Sequence, residues 1–186
     1  MSPSQPVWWL AAQNGAKEGH IMTGVRIRPV RKGDRDQVVA IFNHYVRESH
    51  AAFPDQPVEP AFFDFMLHGA HACYVAEDRG KVVGFSILRP FMPFPAFQGT
   101  AAVTFFILPS HVKHGLGTRM MVAMTDDAVR LGIHSLVAQI SSRNTGSIAF
   151  HEKQGFCECG RVEDAGTKFG EPFDLVLMQK TLSKKG

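Results

Sequence analysis

Two stretches of the chain carry residue types that could do chemistry. In the first, Phe105-Phe106-Ile107-Leu108-Pro109-Ser110-His111-Val112-Lys113-His114-Gly115-Leu116-Gly117-Thr118, an apolar strand runs into a glycine-containing loop that opens an amphipathic helix. Backbone N–H groups in the first turn of a helix lack partners, and the helix dipole is positive there. Glycines remove side chains that would block close approach, so the arrangement suits a phosphate or pyrophosphate. A P-loop needs Lys and Ser/Thr directly after its second glycine, where Thr118-Arg119 stand here. A dinucleotide fingerprint follows the first strand of its fold, and this loop follows the fourth, so both motifs fail. The loop also fits a tight strand-to-helix turn with glycine for geometry alone.

The second stretch, SSRNTGSIAFHEKQGF, places Asn144 at the end of a strand and Ser147 and His151 one turn apart on the next helix. A histidine at such a position can move a proton near neutral pH, or can simply be packed.

The elements that must position these residues read as one domain over 24–183. Val25, Ile27 and Pro29 alternate with Arg26 and Arg28, a short strand with one apolar face. Asp34 precedes Gln37 by three residues, a capping-box-like start for a helix with Val38, Ile41, Phe42, Tyr45 and Val46 inward. A second helix is predicted over 58–68, with Phe62, Phe65 and Met66 inward. Residues 72–77 and 81–88 form a hairpin around Asp78-Arg79-Gly80. Residues 89–100, with three prolines, read as a loop, because proline cannot donate to a sheet ladder. A strand over 102–108, a helix over 116–131 with Met120, Met124, Ala128 and Leu131 on one face, and a strand over 135–140 follow. A helix over 144–154 and strands over 156–162 and 173–182 complete the order. Cys157 and Cys159, alternating on a strand, are expected to be buried thiols.

Composition narrows the functional classes. The 186 residues are 45% hydrophobic and 20% charged, an ordinary globular balance, with 15 Phe against two Tyr and two Trp. Phe42, Phe62, Phe65, Phe85 and Phe156 are core candidates on periodicity. A formal charge of +3, evenly spread, argues against nucleic acid. No apolar run approaches the ~18 residues of a membrane span, and the N-terminus lacks a signal-peptide pattern. Three cysteines, an odd number, point to reduced thiols and the cytoplasm. His68 and His71 lack further ligands nearby in sequence, so no metal site is expected. Residues 1–23 read as an extension that is disordered or precedes a native start at Met22, and 184–186 as a tail.

At this point V-x-x-x-H-G-L-G-T followed by N-x-x-S-x-x-F-H-E-K-x-G-F resembles the GCN5-related N-acetyltransferases. Within them the chain is most similar to the phosphinothricin and methionine-sulfoximine acetyltransferase branch, as FNHYV near residue 42, AAFPDQPV around Phe53 and GTKFGEPFDLVLMQKTL also suggest. The resemblance covers about residues 25–182. It implies an α/β (α+β) fold: a mixed, mostly antiparallel six- to seven-stranded sheet, splayed between its fourth and fifth strands and flanked by about four helices. Acetyl-CoA would lie in the splay, its pantetheine arm beside the backbone of Phe106, Ile107 and Leu108. Its pyrophosphate would sit on Lys113, His114, Gly115, Leu116, Gly117 and Thr118. Asn144 would contact cofactor or acceptor, Ser147 the pantetheine arm, and His151 would act as general acid to the leaving thiolate. Transfer would be direct: an amine attacks the thioester and coenzyme A leaves. The resemblance also implies a homodimer.

The chain departs from that branch in ways that bear on the acceptor. The branch's acidic residue before the fourth strand, a candidate for relaying the amine's proton, falls on Ala102. A cationic position in the preceding loop is Gln98, and the residue that leads the pyrophosphate loop is Val112. Phe53, Phe91, Phe94 and Phe97 would make an apolar wall for a small-molecule amine more hydrophobic than an amino acid. Glu48 and water chains are replacement bases, although Glu48 also reads as a solvated helix-end charge. The alternative is a coenzyme A-binding protein that keeps the fold with little or no catalysis, as a sensor or structural subunit.

Overall fold

The computed structural model describes residues 24–182 apart from Lys113. The expectations for residues 1–23, for the tail 184–186 and for Lys113 lie outside the described residues. Among the described residues, seven strands form one sheet in the order β1-β2-β3-β4-β5-β7-β6. They are β1 Val25–Pro29, β2 Ala72–Asp78, β3 Lys81–Pro90, β4 Thr100–Ile107, β5 Ser135–Ser141, β6 Cys157–Lys168 and β7 Glu171–Thr181. Four α-helices accompany them: α1 Arg35–Glu48, α2 Phe62–Leu67, α3 Leu116–Arg130 and α4 Thr145–Lys153.

Every neighbouring pair of strands is antiparallel except β4 and β5. These two run parallel and pair only at Thr100–Ser135, Ala101–Leu136 and Ala102–Val137, after which they part. From Val103 to Ile107, β4 is paired on its β3 side alone. The splay expected between the fourth and fifth strands is therefore present, with its closed end at Ala102.

Two cores flank the sheet. On one face Val38, Phe42 and Val46 of α1 and Phe63 and Met66 of α2 pack on Val75, Phe85, Ile87 and Phe106. The Phe106 ring stands 5.2 Å from both Phe42 and Phe85, with the rings of Phe42 edge-on and Phe85 stacked. On the other face Met121, Met124 and Ala128 of α3 pack with Leu88, Ala101, Val103, Leu136 and Phe156, with Phe150 of α4 against them.

Several local expectations are corrected. Alternation puts Arg28 on the polar face of β1, yet it is 7% exposed. Its guanidinium holds Asp34 at 2.8 Å through two nitrogens and Glu77 at 2.6 Å. Asp34 therefore does not cap α1 with its side chain. It binds Arg28 and the Arg31 N–H, and α1 begins after a 3-10 turn at Lys32–Asp34. Gln37 accepts a hydrogen bond from the Val82 N–H instead of completing a capping box. Burial alone would raise the Asp34 carboxyl; the hydrogen bonds from Arg28 and the Arg31 N–H, with the guanidinium charge, outweigh it and hold it below the usual carboxylate range.

Helix α2 is a turn and a half, not the 58–68 expected, and it buries Phe63 while Phe65 is 67% exposed. Helical spacing identifies a face, but the packing of so short a helix decides which residues occupy it. Leu131 ends α3 as its C-cap and is exposed. Strands β6 and β7 extend further than predicted, to a tight turn at Phe169-Gly170 where both residues have positive φ. Cys157 and Cys159 are exposed free thiols on β6, which lies at the edge of the sheet.

Candidate active site

The gap between β4 and β5 is lined by backbone that has lost its ladder partner. The Leu108 N–H donates to the Val83 carbonyl at 2.8 Å, which sets the alternation along β4. Phe106 and Leu108 therefore turn their backbone groups toward β3, while Phe105 and Ile107 turn theirs into the gap. The Ile107 carbonyl takes the Tyr45 hydroxyl of α1. Tyr45 thus satisfies an acceptor that a continuous sheet would have paired, and burial raises its phenol. Phe106 presents no side chain to the gap; its ring belongs to the α1–α2 core.

The open end of the gap leads to the start of α3. Gly115 is the N-cap with φ of +73°, a left-handed conformation that glycine adopts without strain, and no side chain caps the helix. The first intrahelical bond is Arg119 N–H to the Gly115 carbonyl at 3.1 Å. The N–H groups of Leu116, Gly117 and Thr118 are left to face outward, a cradle for an anion. Gly117 has a second reason to be glycine: a Cβ there would lie 2.9 Å from Phe150 Cε2. His114 is exposed, the Leu116 side chain is buried with Met120, and the Thr118 hydroxyl accepts from Gln154 Nε2 at 3.0 Å. That last bond ties the cradle to the end of α4.

Asn144 is the N-cap of α4, its side-chain oxygen accepting from the Ser147 N–H at 3.1 Å. One turn on, His151 is 4% exposed among the rings of Phe105, Phe150 and Phe156. Its Nδ1 lies 2.8 Å from the Ser147 carbonyl, which can only accept, so Nδ1 carries the proton. Nε2 then holds a lone pair, is buried and has no partner. Burial lowers the imidazole below its ordinary value and the Ser147 carbonyl opposes this, so the ring is neutral at neutral pH. The structure thus brings Asn144, Ser147 and His151 together on one helix, with the His151 ring against Phe105 of β4.

On the opposite face the α1–α2 loop meets the β6–β7 hairpin. Asn43 of α1 binds the Val58 carbonyl and N–H, fixing the α1–α2 loop. Lys168, buried at the end of β6, donates to the Ala52 carbonyl of that loop, and Phe53 stacks on Phe173 of β7 with centroids 5.8 Å apart. The β1–β4 half of the sheet thereby meets the β5–β7 half across the gap. Burial lowers the Lys168 ammonium, and Asp55 works against that shift.

The four expected wall residues are not together. Phe53 sits in this bridge, while Phe91 and Phe97 pair with each other in the β3–β4 loop, 6.3 Å apart, and Phe94 is 62% exposed. Among the described aromatic pairs none joins Phe53 to that loop. Asn43, Lys168 and Phe173 are not singled out from sequence, and Tyr45 only as an inward residue of α1, although each lies in a segment quoted for the resemblance. Glu48 is exposed at the end of α1.

Comparison with known proteins follows this geometry. Residues 6–156 match the model of the acetyltransferase (GNAT) family. The chain is 31% identical over 163 residues to the L-amino acid N-acyltransferase MnaT of Escherichia coli, covering 86% of this chain and 95% of that protein. It is 32% identical over 161 residues to an L-methionine sulfoximine/L-methionine sulfone acetyltransferase of Pseudomonas aeruginosa, covering 84% and 94%. The Salmonella typhimurium protein yncA, solved with its cofactor acetyl-CoA, superposes with a TM-score of 0.78 at 30% identity, covering 88% of this chain and 97% of that one. These named relatives are transferases, which disfavours a sensor or structural subunit without catalysis.

Proposed function

The chain belongs to the GNAT acetyltransferase family and is an N-acetyltransferase, and from that premise we propose that it moves the acetyl group of acetyl-CoA directly to the primary amine of a small molecule with an apolar body. The parting of β4 from β5 beside an uncapped helix start is the observation that carries this reading. The residues fit the donor: the first-turn N–H groups of α3 suit its pyrophosphate, and the gap-facing backbone of Phe105 and Ile107 suits its amide arm. Lys113, His114, Gly115, Leu116, Gly117 and Thr118 form the proposed cradle, with Phe106 and Leu108 fixing the strand and Asn144 and Ser147 lining the arm. Phe53, with Phe91, Phe94 and Phe97 at the loop, supplies the apolar surface for the acceptor.

In the transfer an N–C bond forms, the C–S bond breaks, and the proton shed by the attacking nitrogen reaches the leaving sulfur. His151 is proposed to carry that proton. With its lone pair on Nε2, it accepts before it donates, so it serves as base to the nitrogen and then as acid to the sulfur. The sequence expectation of a general acid describes the second half of this cycle.

The protein is further proposed to act in the cytoplasm as a homodimer, by likeness to its branch and with its cysteines as thiols. Among the described residues no helix is long and apolar enough to cross a membrane. Titration with acetyl-CoA, followed by thiol release on an amine panel, tests the reading. Saturable binding with turnover on apolar amines is expected. Binding without turnover on any amine, or methionine sulfoximine or phosphinothricin as best acceptor, would refute it. Light scattering of the purified chain tests the dimer.

A further inference from the structure

The face of the gap toward α1 and α2 carries an uncompensated positive charge. A donor arm entering beside α3 would run toward the closed end, where Ala102 pairs with Val137. Ala101 and Val103 lie in the α3-side core, so alternation turns Ala102 and Thr104 to the other face. Both are only half-buried although they sit mid-sheet, so α1 and α2 leave this strip open. Directly opposite Ala102 stands Arg89 of β3. Residues opposite one another in an antiparallel pair share a face, with Cβ atoms roughly 5 Å apart. Arg89 Nη2 donates to the Met66 carbonyl at the end of α2 at 2.6 Å, and its Nε is buried without a partner.

No ion pair among the described residues includes Arg89. The titratable groups on the elements around it do not offset its charge. Burial pushes the Cys73 thiol of β2 up to about 12, against the pull of Arg89, and so keeps it neutral. Burial holds His71 below its ordinary value. Asp64 and His68, on and after α2, are exposed, and β4 and β5 contribute no titratable residue.

We propose that Arg89 makes the acceptor end of the site selective for weakly basic amines, such as arylamines and hydrazines, taken up as the free base. The proposal rests on the transfer reaction described above. A guanidinium one strand away disfavours an ammonium and favours the neutral amine, more so where water is scarce. An alkylammonium must lose a proton beside this charge, with alanine at the in-register position. A weak base arrives without that proton. Its nitrogen forms the N–C bond, the C–S bond breaks, and the one proton released at nitrogen goes to sulfur.

The test compares kcat/KM at pH 7 for an arylamine and an alkylamine of matched size in the wild type, Arg89→Gln and Arg89→Lys. It adds inhibition by the trimethylammonium counterpart of the alkylamine. Gln keeps a donor for the Met66 carbonyl and removes the charge; Lys keeps the charge. The wild type should favour the arylamine. Arg89→Gln should reduce that preference and tighten the quaternary inhibitor, each about tenfold, the value of one pKa unit, and Arg89→Lys should change neither. Ala102→Glu, pairing with Arg89, should act like Arg89→Gln. Unfolding midpoints of all variants establish that they are folded. A wild type that favours the alkylamine, or a preference and inhibition unchanged in Arg89→Gln, overturns the proposal while leaving acetyl transfer intact. A wild type that acetylates neither amine overturns both.

Discussion

The two faces of the β4–β5 gap are built from different materials. Toward α3 and α4 the site is largely backbone: unpartnered N–H groups, a left-handed glycine, and a strand edge without a neighbour. Toward α1 and α2 it is side chains: Tyr45 on the Ile107 carbonyl, Lys168 on the Ala52 carbonyl, Phe53 on Phe173, and Arg89 opposite Ala102. Backbone recognition depends on chain path, so it tolerates changes such as valine at position 112. Side-chain recognition depends on identity, so a single exchange can redirect it. A donor site and an acceptor site on one sheet can therefore differ in how freely they vary.

The side-chain half should be the easier to break by deletion. Asp34→Ala leaves the buried Arg28 guanidinium with Glu77 as its remaining ion-pair partner and is expected to cost roughly 1.5–3 kcal/mol in urea unfolding. Because the folded Asp34 carboxyl lies below its unfolded value, its contribution is present above the usual carboxylate range. It is lost as pH falls through the folded pKa, and in Asp34→Ala that acid loss should be reduced.

His151 tests the boundary between the halves. His151→Gln should lower kcat about 10²-fold with acetyl-CoA affinity nearly unchanged. The acid limb of kcat/KM should fall below about pH 6.5, since burial favours the neutral ring. The same depressed pKa makes the wild type lose stability relative to His151→Gln as pH falls from that value.

The backbone half should yield to crowding rather than deletion. Gly117→Val forces a side chain onto Phe150 and should cost roughly 1–3 kcal/mol in urea unfolding, with weaker acetyl-CoA binding by calorimetry and partial recovery of stability in Gly117→Val/Phe150→Ala. Asn144→Ala removes the α4 cap and should cost only about 1 kcal/mol in unfolding. Were Asn144→Ala to abolish turnover at unchanged stability, the side chain would contact substrate, and that side of the gap would be less purely backbone than it looks.

Much of the frame was legible. Alternation and helical spacing located all seven strands and four helices, because burying an apolar face imposes a period on the sequence. The reading failed where partners lie far along the chain. Arg28 looks like an exposed strand residue until Asp34 and Glu77 fold against it. Phe65 looks like core until α2 turns Phe63 inward instead. Cys157 and Cys159 look buried until β6 proves to be the sheet's edge. The wall residues show the same limit: all four phenylalanines were visible, but the partner of Phe53 was Phe173, 120 residues away.

The sequence by itself determined the chain path of the proposed donor side, a strand, two glycines and an amphipathic helix in immediate succession; that spacing alone fits a tight turn as well as an anion cradle, and the resemblance assigns it to acetyl-CoA. Tertiary structure alone decided the acceptor side. Only strand register sets Arg89 opposite Ala102. Only burial among Phe105, Phe150 and Phe156, with Nδ1 turned to the Ser147 carbonyl, gives His151 a neutral ring with a free lone pair. Local spacing fixes chain path; charge states depend on neighbours that sequence distance hides.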